Sequence, residues 1–328
     1  MTTTSQPAGD PQAIEVTFPA LLGYSDGNTG TPYVHVFDSG RPGPHAMVNA
    51  LTHGNEVCGA IAVKELLDLG LRPRRGRLTL SFANTAAYER FDPLRPLASR
   101  FVDQDFNRVW SPRVLDDLDK TSCELARARA LRPFVDAAEL LLDLHSMQEF
   151  SPPLGLSGPL DKGIALARAV GAPQHVIVDA GHPEGVRMRD YGGFGDPASS
   201  KNALLVECGQ HWQLESVTVA RDSVARFLRH AGVIEARDLP PDWLLPDPPA
   251  RLIVQVTEPV VANGPDFRFA APYTGLERIA EAGSVIGWRD GEPVRTPYPD
   301  CVLVMPSARQ PRAGATVVRF GRIVGDTG

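Results

Sequence analysis

Apolar residues fall in short β-rich runs over the first quarter of the chain: "AIEVTF", "YVHVF", "HAMVNAL" and "LTLSF", between Ala13 and Ala83. Between the last two lies "VCGAIAVKELLDLG", where Val57, Ile61, Leu66 and Leu67 suit one face of a helix and Gly70 predicts its stop. Strand, helix, strand is the pattern of a sheet with helical crossovers. Farther on, "DDLDKTSCELARARALRPFVDAAELLLDLHS" predicts a helix to about Leu131 and a strand from Glu139 to Leu144. "HVIVDA" and "NALLVEC" predict two more apolar strands, and "VTVARDSVARFLRHAG" an amphipathic helix closing at Gly232. No internal repeat is visible.

The pattern then breaks. "DLPPDWLLPDPPAR" carries five prolines between Pro240 and Pro249, where helix and central strand are both disfavoured. Residues 239–250 are therefore expected to be a linker. Beyond it, short strand-like runs are interrupted by Gly and Pro, which predicts a small all-β domain over 251–328. The α/β domain that would carry the chemistry spans 13–238, and "MTTTSQPAGDPQ" (1–12) reads as a frayed tail.

Composition sets limits on partners. A chain of 328 residues exceeds one ordinary domain, as a large domain with an appendage would. At 43% hydrophobic and 22% charged it matches a soluble globular protein. A net charge of −6 argues against nucleic-acid binding, which needs clustered Lys and Arg. No run of 18 apolar residues predicts a membrane span. The first residues lack the basic end and apolar core of a signal peptide. Cys58, Cys123, Cys208 and Cys301 form no CxxC pair, which points to reduced thiols in a cytoplasmic protein.

Chemistry enters at "VNALTHGNEVCGAIAVKELL". His53 and Glu56 sit three apart at a strand-to-helix turn, the place where sites collect on open α/β sheets. Gly54 between them is expected to allow a sharp backbone turn. In "ELLLDLHSM", His145 ends an apolar strand, and a His, Glu, His set with an open fourth position is a known catalytic zinc arrangement. Strand periodicity puts Asp143 on the same side as His145, either as a partner for the imidazole or as a solvated carboxylate. "NALLVECGQHW" delivers Glu207 to another strand end, as a base or as half of a buried salt bridge. "SRFVDQDFNRVW" offers Arg100, Asp105, Asn107 and Arg108, whose guanidinium groups suit a carboxylate or oxyanion, or a salt-bridged loop.

Taken in order, His53-Gly-Asn-Glu56, Asp105-Phe-Asn107-Arg108, Asp143-Leu-His145 and Val206-Glu207 resemble the zinc carboxypeptidase superfamily. More narrowly, residues from about 44 to 210 resemble its succinylglutamate desuccinylase/aspartoacylase branch, and the all-β tail resembles that branch's C-terminal domain. The resemblance implies a zinc-carboxypeptidase-like α/β fold, a mixed sheet sandwiched by helices with a small C-terminal all-β domain. It implies one Zn2+ per chain held by His53, Glu56 and His145. It makes Glu207 the general base and later the proton donor to the leaving amine. Arg100 would polarise the scissile carbonyl and stabilise the oxyanion, and Asn107 and Arg108 would bind a carboxylate on the amine half of the substrate.

Two departures matter. Phe106 stands where the family usually has Leu. Aspartoacylases also hold the side-chain carboxylate of N-acetylaspartate with another Arg shortly before the base. Here "DYGGFGDPASSKNALLVE" offers only Lys201, with Arg187 and Arg189 farther back, which argues against an aspartoacylase proper. The loops "SMQEFSPPLGL" and "VRMRDYGGFG" are unusually apolar. Met147, Phe150, Pro152, Leu154, Met188, Tyr191 and Phe194 are expected to line a pocket for an aromatic or bulky group, with simple loop packing as the alternative. "IAEAGSVIGWRDGEPVRTPYPDCVLVMPS" resembles a lipoyl- or biotinyl-like β fold but has no lysine to carry such a cofactor. Its expected role is to cover the active-site rim or to mediate oligomerisation. The expected function is a zinc-dependent amidohydrolase cleaving a small N-acyl amino acid or similar carboxylate-bearing amide. The alternatives are a C-terminal peptidase and a non-catalytic zinc-binding protein. Metal retention alone needs neither Glu207 nor Arg100, which argues against the last.

Overall fold

The apolar runs become strands because each can bury both faces between helices. The computed structural model describes residues 13–249, 251–309 and 311–327, so the expected tail over 1–12 lies outside the described residues. In chain order the elements are β1 (Val34–Asp38), β2 (His45–Ala50), α1 (Cys58–Asp68), β3 (Arg77–Phe82), α2 (Thr85–Tyr88) and α3 (Pro112–Leu115). There follow α4 (Cys123–Ala137), β4 (Leu140–Met147), β5 (Leu154–Leu156), α5 (Asp161–Val170), β6 (His175–Val178), β7 (Asn202–Gln210) and α6 (Leu214–His230). The C-terminal part holds β8 (Arg251–Val261), β9 (Phe267–Phe269), β10 (Glu277–Ile279), β11 (Val285–Arg289), β12 (Glu292–Arg295), β13 (Cys301–Val304) and β14 (Thr316–Thr327).

One 11-stranded sheet runs in the order β1-β3-β2-β4-β7-β5-β6-β8-β14-β13-β10. Its centre is parallel: β2 pairs with β3 and β4, and β4 with β7. Alternate residues of these strands face opposite layers. Val48, Leu80, Leu144 and Val206 pack with α1 and α6 in one buried cluster. Met47, Leu141 and Ala203 pack on the other face with Leu125 and Leu131 of α4. The fold is thus an α/β sheet between helical layers, as expected. No helix among the described residues is long and apolar enough to cross a membrane.

Local expectations hold with exceptions. The run "AIEVTF" is no strand; Glu15 N makes one backbone bond to Trp212 O (2.9 Å). Helix α4 does not stop near Leu131 but continues through Pro133 to Ala137, because buried Leu131 and Val135 anchor its last turn. The proline-rich segment is held against α6. Trp243 is buried in the main core, Leu245 N donates to Asp222 Oδ1 (2.9 Å), and Arg226 pairs with Asp247 (2.7 Å).

Among the described residues after 250 the regular elements are all strands, as the broken pattern predicts. β8 pairs in parallel with β6, which joins this part to the main sheet. A separate three-stranded sheet, β12-β11-β9, packs with Phe267 and Ile286. At the far edge β1 has its outer backbone occupied. Asn28 Nδ2 donates to Val36 O (2.9 Å), and Val36 N donates to Asn28 Oδ1 (2.7 Å).

Candidate metal centre and catalytic cleft

The loop after β2 carries two candidate ligands into the sheet's mouth. Leu51, just before them, adopts φ 59°, a left-handed conformation that a branched side chain rarely takes. Such strain costs on the order of 1–3 kcal/mol and is held here by Leu51's complete burial. Gly54 corrects an expectation, for its φ is not positive. Glycine is required there because a Cβ would lie 2.5 Å from the Ser99 carbonyl oxygen and from Tyr88 N. The residue permits close packing rather than an unusual turn.

His53, Glu56 and His145 are all buried, and one donor atom from each lies within 4.8 Å of the others. Both imidazoles turn Nδ1 towards the same carboxylate: His53 at 2.7 Å from Glu56 Oε1 and His145 at 2.8 Å from Oε2. Each Nε2 meets a second carboxylate, Asp105 Oδ1 at 3.0 Å for His53 and Asp143 Oδ2 at 2.9 Å for His145. Carboxylates behind ligating imidazoles fix the tautomer and the ring orientation. Asp143 is itself fixed, its Oδ1 accepting from Asn49 Nδ2 and Thr52 Oγ1 at 2.9 Å each. Arg100 Nη2 also lies 2.9 Å from His53 Nε2. With Nδ1 free for a metal, that Nε2 carries the proton and donates to Asp105, so the Arg100 contact is not a hydrogen bond. The buried two-His, one-Glu donor set, with both Nδ1 atoms on one carboxylate, fits a zinc ion.

Electrostatics follow from this crowding. Burial alone would raise Glu56, but His53 and His145 hold it well below the usual carboxylate range. Burial opposes a charged His145, yet Asp143 and Glu56 raise it well above an ordinary imidazole. Strand pairing sets Glu207 opposite His145 across β4 and β7. A register shift follows that pair, where Gly209 takes φ 123°. Burial pushes the Glu207 carboxyl up to about 8, against the pull of His145. Its Oε2 is buried with no hydrogen-bond partner among the described residues. Arg100 donates to Glu56 Oε1 (3.1 Å) and Asp105 Oδ2 (3.3 Å).

These groups open on one cleft of about 300 Å³, lined by His53, Glu56, His145, Glu207, Arg100, Asn107 and Arg108. The sequence-predicted ligands, base and arginines are therefore brought together. Tyr191 and Phe194 are not. Both are buried in the α4-side core, where Tyr191 packs edge-on against Trp110 (5.5 Å) and its hydroxyl accepts from Arg132 Nε (2.8 Å). The expectation that they line a pocket is corrected: burial against α4 satisfies them. Of the apolar loop residues expected to line a pocket, Met147 and Phe150 do reach the cleft, together with Leu156, Leu205, Met305 and Val317. Lys201 also points elsewhere, its ammonium donating to Asp136 O, and Arg189 is buried against Ser157 O and Ala203 O (2.8 Å each).

Sequence reading assigned no role to Asp105 or His211, although both stand in quoted motifs. His211 Nδ1 lies 2.8 Å from Ser146 Oγ, and burial pushes its pKa down to about 3, so the ring is neutral. The C-terminal part was expected to cover the active-site rim or mediate oligomerisation, but none of its residues was named: Met305, Ser307, Thr316 and Arg319 reach the cleft, and Glu149 is gripped by Arg309 at 2.6 and 3.0 Å.

A family model described as the succinylglutamate desuccinylase/aspartoacylase catalytic domain matches residues 42–231. No curated protein matches the chain. Among solved structures, a succinylglutamate desuccinylase/aspartoacylase from Rhodobacter sphaeroides superposes with a TM-score of 0.63 at 20% identity, covering 89% of each chain. The ectoine utilization protein EutE (DoeB) from Ruegeria pomeroyi gives 0.61 at 18% identity over 88% of each chain. A succinylglutamate desuccinylase from Vibrio parahaemolyticus gives 0.63 at 15%, covering 90% of this chain and 87% of its own. At these identities the likeness is one of fold.

Proposed function

Since the chain belongs to the succinylglutamate desuccinylase/aspartoacylase catalytic-domain family, we propose that it is a zinc-dependent amidohydrolase. Its substrate is a small N-acyl amino acid or similar carboxylate-bearing amide, with a bulky or aromatic group accommodated by Met147, Phe150 and Leu156. The observation that carries this reading is the placing of an unpartnered buried carboxyl oxygen, Glu207 Oε2, in the same cleft as the His53, Glu56 and His145 donor set.

A zinc ion held by those three residues supplies Lewis acidity towards a carbonyl and lowers the pKa of water. The rest falls to the chain's own groups. Asp105 and Asp143 keep the protons of both imidazoles on Nε2 and so present Nδ1. Glu207 takes a proton from the attacking water and returns it to the leaving amine nitrogen, the task of a carboxyl whose pKa burial has brought near neutrality. Arg100 trades its contact with Glu56 for the substrate's oxygen as charge develops there, an interaction worth roughly 3–4 kcal/mol in such sites. Arg108 binds the substrate carboxylate, beside Asn107, whose Oδ1 accepts from Met188 N (2.9 Å) and is thereby fixed.

The test is a panel of N-acyl amino acids, with aliphatic, acidic and aromatic groups on both sides, given to zinc-loaded and chelated protein. Zinc-dependent turnover of at least one member is expected, and more of a bulky or aromatic amide than of acetylaspartate. Turnover of none would overturn the reading.

A further inference from the structure

We infer that Arg319, supplied by the C-terminal strand β14, is a second guanidinium of the substrate-anion subsite and grips the substrate's carboxylate together with Arg108. The identity of the anion rests on the amide-hydrolase reading above; the existence of the subsite does not.

Three distant segments build this wall of the cleft. The 3-10 turn Phe106–Arg108 brings Arg108, the loop from Asp179 to Arg187 brings His182 and Arg187, and β14 brings Thr316 and Arg319. They are tied to each other. Val109 bridges to Val186 and Trp110 N donates to Val186 O (3.2 Å). Thr316 Oγ1 lies 3.3 Å from His182 Nε2. The arrangement is therefore built, and not a chance meeting of surface side chains.

Pairing within the wall is uneven, and Glu184 of the same loop lies 3.7 Å from His182 Nδ1 rather than in an ion pair with Arg108 or Arg319 among the described residues. Arg187 has two carboxylates, Asp179 at 3.1 Å and Asp190 at 2.5 Å. Arg319 is left with the same Asp179 oxygen at 3.5 Å, and its guanidinium has no other carboxylate within 4 Å among the described residues. Its side chain lines the cleft and is 14% exposed. Arg108 spends Nη1 on the Asn107 carbonyl (2.8 Å), and its Nε is buried with no hydrogen-bond partner among the described residues. The carboxylate nearest to Arg108 in sequence, Asp105, is already held by His53 and Arg100. His182 adds no further positive charge: burial, with Arg108 and Arg319 beside it, pushes its pKa down to about 3.

Buried charges that repel each other and lack full pairing are costly, and the cost is removed when an anion enters between them. The guanidinium fork matches a carboxylate, and two forks on one carboxylate fix its direction as well as its charge. In this chain, choice of an anionic substrate is therefore made jointly by the α/β part and by β14. If Arg319 were only a structural partner of Asp179, its loss would lower stability and affect every substrate alike.

The experiment compares zinc-loaded wild type with Arg319→Gln and Arg319→Lys in two readouts. The first is the best N-acyl amino acid from the panel against its carboxamide. Arg319→Gln should raise KM for the acid roughly 10–100-fold with little change in kcat, and leave the carboxamide within about threefold. The second needs no turnover: calorimetric binding of succinate, used as a simple carboxylate probe, should weaken at least about tenfold in Arg319→Gln. Arg319→Lys keeps the charge but not the fork and should fall between; it carries the comparison should the glutamine variant not fold. Succinate binding unchanged in the folded variant, no succinate binding by wild type, or equal losses on acid and carboxamide would each overturn the subsite. Arg319-dependent succinate binding without turnover of any N-acyl amino acid would keep the subsite and reject the amide-hydrolase reading.

Discussion

At the scale of single residues, Glu207 and Asp143 are both buried acids with opposite tasks. Glu207→Gln preserves shape and removes the proton acceptor, so turnover should fall roughly 10²–10⁴-fold while zinc content stays that of wild type. A variant with near-normal turnover would move the base elsewhere. Asp143 touches no substrate; it receives two hydrogen bonds on one oxygen and holds His145 Nε2 with the other. Asp143→Asn should weaken zinc binding by about 10–100-fold, measured by competition with a chelator. Unchanged affinity would mean that the sheet alone orients His145. The residues proposed as ligands and base drew notice in the sequence because each is a polar residue at or just past the end of an apolar strand. Tyr191 and Phe194 were misread because an apolar loop looks the same whether it faces a cleft or a helix. Only the position of α4 decides between these, and no residue of the loop encodes it.

At the scale of elements, the turn from β2 to α1 concentrates the constraint. Gly59 lets the helix start press on β4, where a Cβ would lie 2.7 Å from Leu144 Cβ. Gly54 does the same against the backbone of residues 87, 88 and 99. Gly54→Ala should therefore cost about 1–3 kcal/mol by overpacking. Because the displaced loop carries His53 and Glu56, the variant should also retain less zinc. Thermal melts and metal analysis of the same sample check this, and an alanine variant with wild-type Tm and zinc would refute it. The strands and helices that build the site were readable from periodicity. The passage of α4 through Pro133 was not, because tertiary burial of Leu131 and Val135 outweighs the missing N–H. Strand β5 was taken for loop: three residues leave no period to read.

At the scale of the whole molecule, the composition change near residue 240 announced the all-β part but not its attachment. β8 extends the main sheet beside β6, and Val254, Val302 and Val304 share a buried cluster with Met147 and Leu205 of the cleft's own strands. Which strand neighbours which is set by long-range pairing, and nothing near Arg319 in "VVRFGRIV" marks it as a residue of the cleft. An open sheet of this size has two free borders, and a free border is a template for other chains. β10 limits its border by being three residues long, with charged Glu277 and Arg278. At β1 the guard is the loop before the strand: the Asn28 side chain occupies both the N–H and the C=O of Val36, and the backbone of Asn28 and Thr31 meets the C=O and N–H of Val34. Asn28→Ala should thus leave the catalysis of freshly prepared protein intact while shortening its life in concentrated solution. Light scattering should rise with time and protein concentration, and scattering identical to wild type would show that the border is guarded by other means. The colloidal behaviour of this molecule would then depend on how the Asn28 amide pins a short loop over the sheet edge, remote from the candidate metal site.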